Sequence, residues 1–159
     1  LRTPRPAHRT AQWLALLLPL ALMAGALGSQ YLGGLYPCEM CMWQRWPHYA
    51  AILVALGSFV VRPARVPLVW LAALLIAISG AIGAFHAGVE YGWWEGLTRC
   101  ATTMGGGAVT LDSIMNAPLI RCDVAPWSWL GISLAGWNAI LSLGGALVIA
   151  ILMSKSKRR

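Results

Sequence analysis

Three features of the sequence predict an all-α integral membrane protein, a four-helix bundle. They are four apolar stretches of about twenty residues, too few charges to solubilise a globular surface, and basic residues confined to alternate connections. Apolar residues fill 58% of 159 positions and charged residues only 11%, against about 45–50% and about 25% in an average soluble domain. Lipid is therefore the expected solvent. The net charge of +7 does not point to nucleic acid, because the basic residues sit in short clusters beside apolar runs with no stripe of interleaved aromatics. No nucleic-acid partner is expected.

A helix needs about 20 apolar residues to cross roughly 30 Å of hydrocarbon. Residues 13–32, 42–61, 66–85 and 130–153 meet that length and form a single membrane domain covering residues 1–159. Pro63 and Pro67 bracket a tight turn between spans two and three, Pro126 precedes span four, and Pro19 is expected to kink span one. Trp13, Trp43, Trp46, Trp70, Trp127 and Trp129 fall near span ends, where an amphipathic ring suits the headgroup zone. The chain begins at Leu1 and not at Met, as a truncated or processed N-terminus would. A cleaved signal peptide is the competing reading of span one, with Arg9 as its basic start and Ala24, Gly25 and Ala26 as a cleavage site. The apolar run exceeds the usual signal core of about 7–15 residues, which favours a retained helix.

Orientation follows from the placement of Lys and Arg, since cationic segments resist translocation. Arg2, Arg5 and Arg9 precede span one, Arg62 and Arg65 lie between spans two and three, and Lys155, Lys157, Arg158 and Arg159 follow span four. The opposite side receives Arg45, Arg99 and Arg121, with Glu39, Glu90, Glu95, Asp112 and Asp123. Both termini are thus expected to be cytoplasmic. Two outer loops result, residues 33–41 and the long connection 87–129, in which Gly105, Gly106 and Gly107 are expected to confer mobility.

All four cysteines fall on that outer side, where oxidising conditions permit disulfides. Cys38 and Cys41 form a C-x-x-C at the start of span two, and Cys100 and Cys122 lie in the long loop, so two pairs are natural. Unpaired N–H groups and the helix dipole at a helix start favour thiolate over thiol. Arg45, four residues after Cys41, adds positive charge on the same face. Inert staples are the competing reading, stronger for Cys100 with Cys122, because an external disulfide is usually structural. For Cys38 with Cys41 it is weaker, since so small a loop stabilises little through chain entropy. No metal is expected: structural zinc wants a second close pair, whereas 21 residues separate Cys100 from Cys122. A c-type haem wants His after the second Cys, and Met42 stands there. Redox chemistry remains.

The run Pro37-Cys38-Glu39-Met40-Cys41-Met42-Trp43-Gln44-Arg45 after one span, followed by two spans, a long loop with two cysteines and a last span, resembles the DsbB-type disulfide bond formation proteins. The similarity covers nearly the whole chain and includes Gln30, His86, Glu90 and the segment from Cys122 to Trp137. It implies a quinone-dependent protein-thiol oxidoreductase of the bacterial inner membrane with its redox loops in the periplasm. A reduced DsbA-type thioredoxin-fold protein gives electrons to Cys100 with Cys122; they pass to Cys38 with Cys41, then to a membrane quinone, ubiquinone or menaquinone. By the same resemblance the partner attacks Cys100, Cys41 contacts the quinone, and Cys38 and Cys122 exchange with each other. Such a donor sits near about −120 mV and inert staples below about −300 mV, so donating into a staple would cost about 8 kcal/mol. Relay disulfides therefore cannot be ordinary staples.

A quinone head wants an apolar slot with a few donors and a cation. Arg45, Gln30, His86 and Glu90 are the candidates, although the family carries Gln where Glu90 aligns. Taken alone, Arg45 reads as a headgroup anchor, His86 as an interfacial polar residue and Glu90 as its helical hydrogen-bond partner. His48 reads as a packing or interfacial residue, and Trp93 and Trp94 as seats for the loop on the membrane surface. Two other readings remain: a relative of vitamin K epoxide reductase, whose C-x-x-C is expected on a late helix, and a non-enzymatic membrane subunit with two structural disulfides.

Overall fold

The structure is a computed structural model that describes residues 6–97 and 120–155. Four long helices dominate it: α1 (Pro6–Tyr31), α2 (Glu39–Val60), α3 (Arg65–Glu90) and α4 (Leu134–Lys155). A single 3-10 turn, Arg62–Ala64, joins α2 to α3 with Pro63 in its first positions, where the missing N–H costs nothing. α2 and α4 each pack against both α1 and α3, while α1 and α3 touch only lightly, so the helices form a ring.

α1, the unit Arg62–Glu90 and α4 are long and apolar enough to cross a membrane. α2 has a matching length of 22 residues but does not qualify. Glu39, Gln44, Arg45 and His48 lower its apolar character, and the last three are buried inside the bundle. The four-span expectation thus holds for three helices by length and composition, with α2 as the fourth member packed among them.

Helix ends differ from the sequence reading in informative ways. α1 runs through Pro19 without interruption. α2 begins at Glu39 and not at 42, because Cys38 caps it: its extended backbone (φ −75°, ψ 173°) lets the sulfur accept the Cys41 N–H at 3.2 Å. Cys41 therefore lies on a helix and not in the loop 33–41. α3 continues one turn beyond residue 85, carrying His86 and Glu90 on helix. α4 starts at Leu134 and not at 130. Residues before it form a small hairpin, β1 (Ser128–Trp129) with β2 (Ile132–Ser133), whose two turn residues, Leu130 and Gly131, both have positive φ. Ser133 then caps α4 by accepting the Gly136 N–H at 3.1 Å.

The core uses small residues, which let backbones approach where lipid offers no hydrophobic drive. Ala11, Ala15, Ala51, Ala55, Ala72 and Ala146 are buried with Val69, Ile76 and Ile149. Large apolar side chains point outward instead: Leu53 is 70% exposed and Leu147 61%. All six tryptophans assigned to span ends are exposed. Trp94 is half-exposed but tied back to α3, its indole N–H donating to the Phe85 carbonyl at 2.9 Å.

Candidate functional site

At the α2 N-terminus the Cys38 and Cys41 sulfurs lie 2.8 Å apart. Cys38 is buried, whereas Cys41, one turn along, is half-buried. The Cys38 S–H donates to the Cys41 sulfur, and this bond, with burial, holds the Cys38 thiol above the usual thiol range. In the reduced pair Cys38 thus keeps its proton. Cys122 is buried in one apolar cluster with Cys38, Met40 and Val89, bordered by Cys41, Phe85 and Ile120. One cysteine of the long loop therefore packs against the C-x-x-C. Cys100, Gly105, Gly106 and Gly107 lie outside the described residues.

Two cavities open on this cluster. An outer one of about 450 Å³ is lined by Cys38, Cys41, His86, Tyr36, Ile120 and Arg121, among others. Arg121 also forks onto Asp123 through Nε to Oδ1 at 2.9 Å and Nη2 to Oδ2 at 2.5 Å, which holds the exposed Asp123 carboxyl below its usual range. A second cavity of about 260 Å³ lies between α1, α2 and α4, and Leu22, Ala26, Cys41, Arg45, Trp137 and Leu141 are among its lining residues. Its wall is mainly apolar, with one cation and the polar side chains of Ser29, Gln44 and Asn138, the character a quinone head requires. Cys41 is the one residue common to both linings.

The polar candidates separate into two groups. Arg45 is only 8% exposed, so it is no headgroup anchor. Its Nη1 donates to Gln30 Oε1 at 2.5 Å and its Nη2 to the Ala26 carbonyl at 3.3 Å, both on α1. Gln30 touches Arg45 and is not among the cavity's lining residues. His86 and Glu90 sit elsewhere, on the Cys38 side. The His86 ring is 1% exposed, with Nε2 at 3.6 Å from Cys38 Sγ and 3.7 Å from Glu90 Oε1. The Glu90 side chain is buried, with Ser133 as a further partner.

Sequence reasoning passed over Gln44 and Asn138. Gln44 donates from Nε2 to the Met40 carbonyl at 3.2 Å and lies 2.8 Å from His86 Nδ1. Asn138 Nδ2 donates to Gln44 Oε1 at 2.8 Å, and Asn138 Oδ1 lies 3.0 Å from His48 Nε2. His48 is accordingly a buried network member, 3% exposed. Gly83 makes room for this crossing: a Cβ there would stand 3.1 Å from Gln44 Oε1 and 3.0 Å from Asn138 Nδ2. The available signal was an amide inside an otherwise apolar helix, which is costly unless partnered and so marks a site.

Cys38, Cys41 and His86 bring one potential ligand atom each within 4.8 Å of one another. That spacing suits a soft metal, although the hydrogen bond at His86 bears on whether the ring has a lone pair to offer.

A family model described as Disulfide bond formation protein DsbB matches residues 8–152. Similar proteins include Disulfide bond formation protein B of a Polaromonas species, 32% identical over 92% of this chain and 90% of the relative. The protein of the same name from Aromatoleum aromaticum is 32% identical over 91% and 93%, and that from Methylococcus capsulatus 31% over 87% and 90%. No solved structure matches the chain. With a C-x-x-C at a helix start, a loop cysteine packed against it and helices apolar enough for a membrane, the chain belongs to the DsbB family of disulfide bond formation proteins, membrane oxidoreductases of disulfide formation.

Proposed function

We propose that this protein reoxidises a DsbA-type periplasmic thioredoxin-fold partner, passing electrons from Cys100 with Cys122 to Cys38 with Cys41 and then to a membrane quinone, ubiquinone or menaquinone. It works in a bacterial inner membrane with both termini cytoplasmic and its cysteines on the periplasmic side. The observation that carries this reading is the double exposure of Cys41, which lines both the outer cavity and the apolar cavity between α1, α2 and α4. A sulfur in that position meets a water-borne thiol system on one side and a lipid-borne acceptor on the other.

The packing of Cys122 in the Cys38 cluster supports an exchange in which the Cys122 thiolate attacks Cys38: a Cys122–Cys38 bond forms, the Cys38–Cys41 bond breaks, and the electron pair leaves on Cys41. The quinone supplies the final two-electron, two-proton acceptor. Arg45, held by Gln30 and the Ala26 carbonyl, presents its charge to the acceptor cavity without a water shell, where a fixed cation stabilises developing negative charge most strongly. Buried His86 lies beside the Cys38 sulfur, with Glu90 next to its ring.

The test uses purified full chain in detergent with reduced DsbA-type partner and ubiquinone or menaquinone. Quinone reduction is expected with the wild type and is lost with Cys41→Ser. No electron flow in the wild type, or full flow with Cys41→Ser, sinks the proposal.

A further inference from the structure

Gln44 is buried and Asn138 partly buried beside the inner cavity, and each amide N–H seeks an acceptor and each amide oxygen a donor. Backbone carbonyls, which only accept, fix how both amides in this site point. The Ser79 carbonyl lies 3.3 Å from Asn138 Nδ2, which orients that amide; its oxygen then receives the Ser142 hydroxyl at 2.9 Å. Asn138 Nδ2 also meets Gln44 Oε1 at 2.8 Å. The Gln44 nitrogen is thereby turned to the Met40 carbonyl and to His86 Nδ1. A ring nitrogen that faces a donor must offer its lone pair. Nδ1 is therefore bare, and the proton of the neutral imidazole sits on Nε2, which faces Cys38 Sγ at 3.6 Å and Glu90 Oε1 at 3.7 Å, with the Cys122 backbone as a further hydrogen-bond partner of the ring.

We propose that Gln44, oriented by Asn138, is a positioning residue that locks His86 as its Nε2–H tautomer and so makes the ring a hydrogen-bond donor to the Cys38 sulfur. The assignment bears on the spacing of Cys38, Cys41 and His86, because a metal there would have to displace the Nε2 proton. A ligating imidazole gives the metal a lone pair, and Nε2 in this tautomer has none.

The functional consequence rests on the relay reading. When a thiolate attacks Cys122 in a Cys38–Cys122 disulfide, a new bond forms at Cys122, the old one breaks, and the electron pair leaves on Cys38 Sγ. The His86 Nε2–H and the Cys41 backbone N–H both face that sulfur and stabilise the departing thiolate. His86 neither gains nor loses a proton in the step.

The experiment labels histidine with 15N in the full chain in lipid nanodiscs and reads tautomers from two-bond nitrogen–proton correlations. The His86 signals are identified by their loss in His86→Gln. The expected wild-type result is a protonated Nε2 with an unprotonated Nδ1. In Gln44→Leu the single tautomer gives way to exchange between two, and quinone-coupled oxidation of the partner slows about ten-fold or more, the loss expected for one hydrogen bond to a charged group. A wild-type Nδ1–H tautomer overturns the proposal whatever the variant does, and so does a Gln44→Leu protein with an unchanged tautomer. The tautomer is read without quinone or partner. A failed relay with the Nε2–H tautomer intact therefore refutes the proposed function alone.

Discussion

Arg45 Nη1 donates to Gln30 Oε1 at 2.5 Å, a bond that ties α2 to α1 and holds a buried guanidinium at the edge of the apolar cavity. Removing the acceptor leaves that charge with the Ala26 carbonyl alone. A hydrogen bond to a charged group contributes about 1.5–3 kcal/mol. Gln30→Ala is therefore expected to raise the KM for quinone about ten-fold or more, with kcat at saturating quinone less affected. Arg45→Lys should fail as a substitute, because one ammonium cannot reproduce the planar fork reaching both α1 acceptors. Steady-state kinetics with varied quinone checks both, and an unchanged KM in Gln30→Ala counts against this role.

Burial of Cys122 in the Cys38 cluster predicts the effect of removing it. With Cys122→Ser the loop cysteine Cys100 has no disulfide partner: its thiolate attacks the disulfide of oxidised donor protein, one donor cysteine leaves as thiolate, and the mixed disulfide between Cys100 and the donor should accumulate because Cys122 is not there to resolve it. Non-reducing electrophoresis followed by mass spectrometry identifies the attached protein and the attacked cysteine together. Trapping through Cys38 instead would contradict the assigned order.

The reduced protein should lose stability in alkali. Cys38 holds its proton above the ordinary thiol value of 9.0, so the folded state binds that proton more tightly than the unfolded chain does. The stabilisation is complete below pH 9.0 and declines as pH rises beyond it. Thermal unfolding of the reduced chain in detergent, measured across that range, should show the decline, and Cys38→Ala should flatten it. A reduced chain whose melting temperature rises in alkali would contradict the Cys38 to Cys41 hydrogen bond.

Gly80 sits where α3 crosses α4. A Cβ at this position would meet the Leu143 backbone nitrogen and the Ser142 Cβ, each at 3.0 Å. Gly80→Val is expected to push the helices apart and cost about 1–3 kcal/mol, seen as a lower melting temperature in detergent. Wild-type stability in this variant would mean that the helices do not approach so closely.

Features that depend on local composition and spacing are legible in the chain alone. Apolar stretches of about twenty residues specify helices in lipid. The C-x-x-C ahead of span two, with Arg45 following, marks a thiol site because capping and the helix dipole act within one turn. The small hairpin at Ser128–Ser133 was not legible, since Leu130 occupies a left-handed position that favours glycine.

The division of the polar residues emerges with helix packing. Gln44 meets His86 across 42 positions and Asn138 across 94, and no periodicity links such distant residues. Arg45 and His86, grouped by sequence as one quinone site, belong to different faces because α1 draws the guanidinium one way while Gln44 directs the imidazole toward Cys38. The reason is the cost of an unpartnered polar group in an apolar interior. Each such side chain turns to whichever partner the packed helices supply, and that choice exists only once four helices have come together.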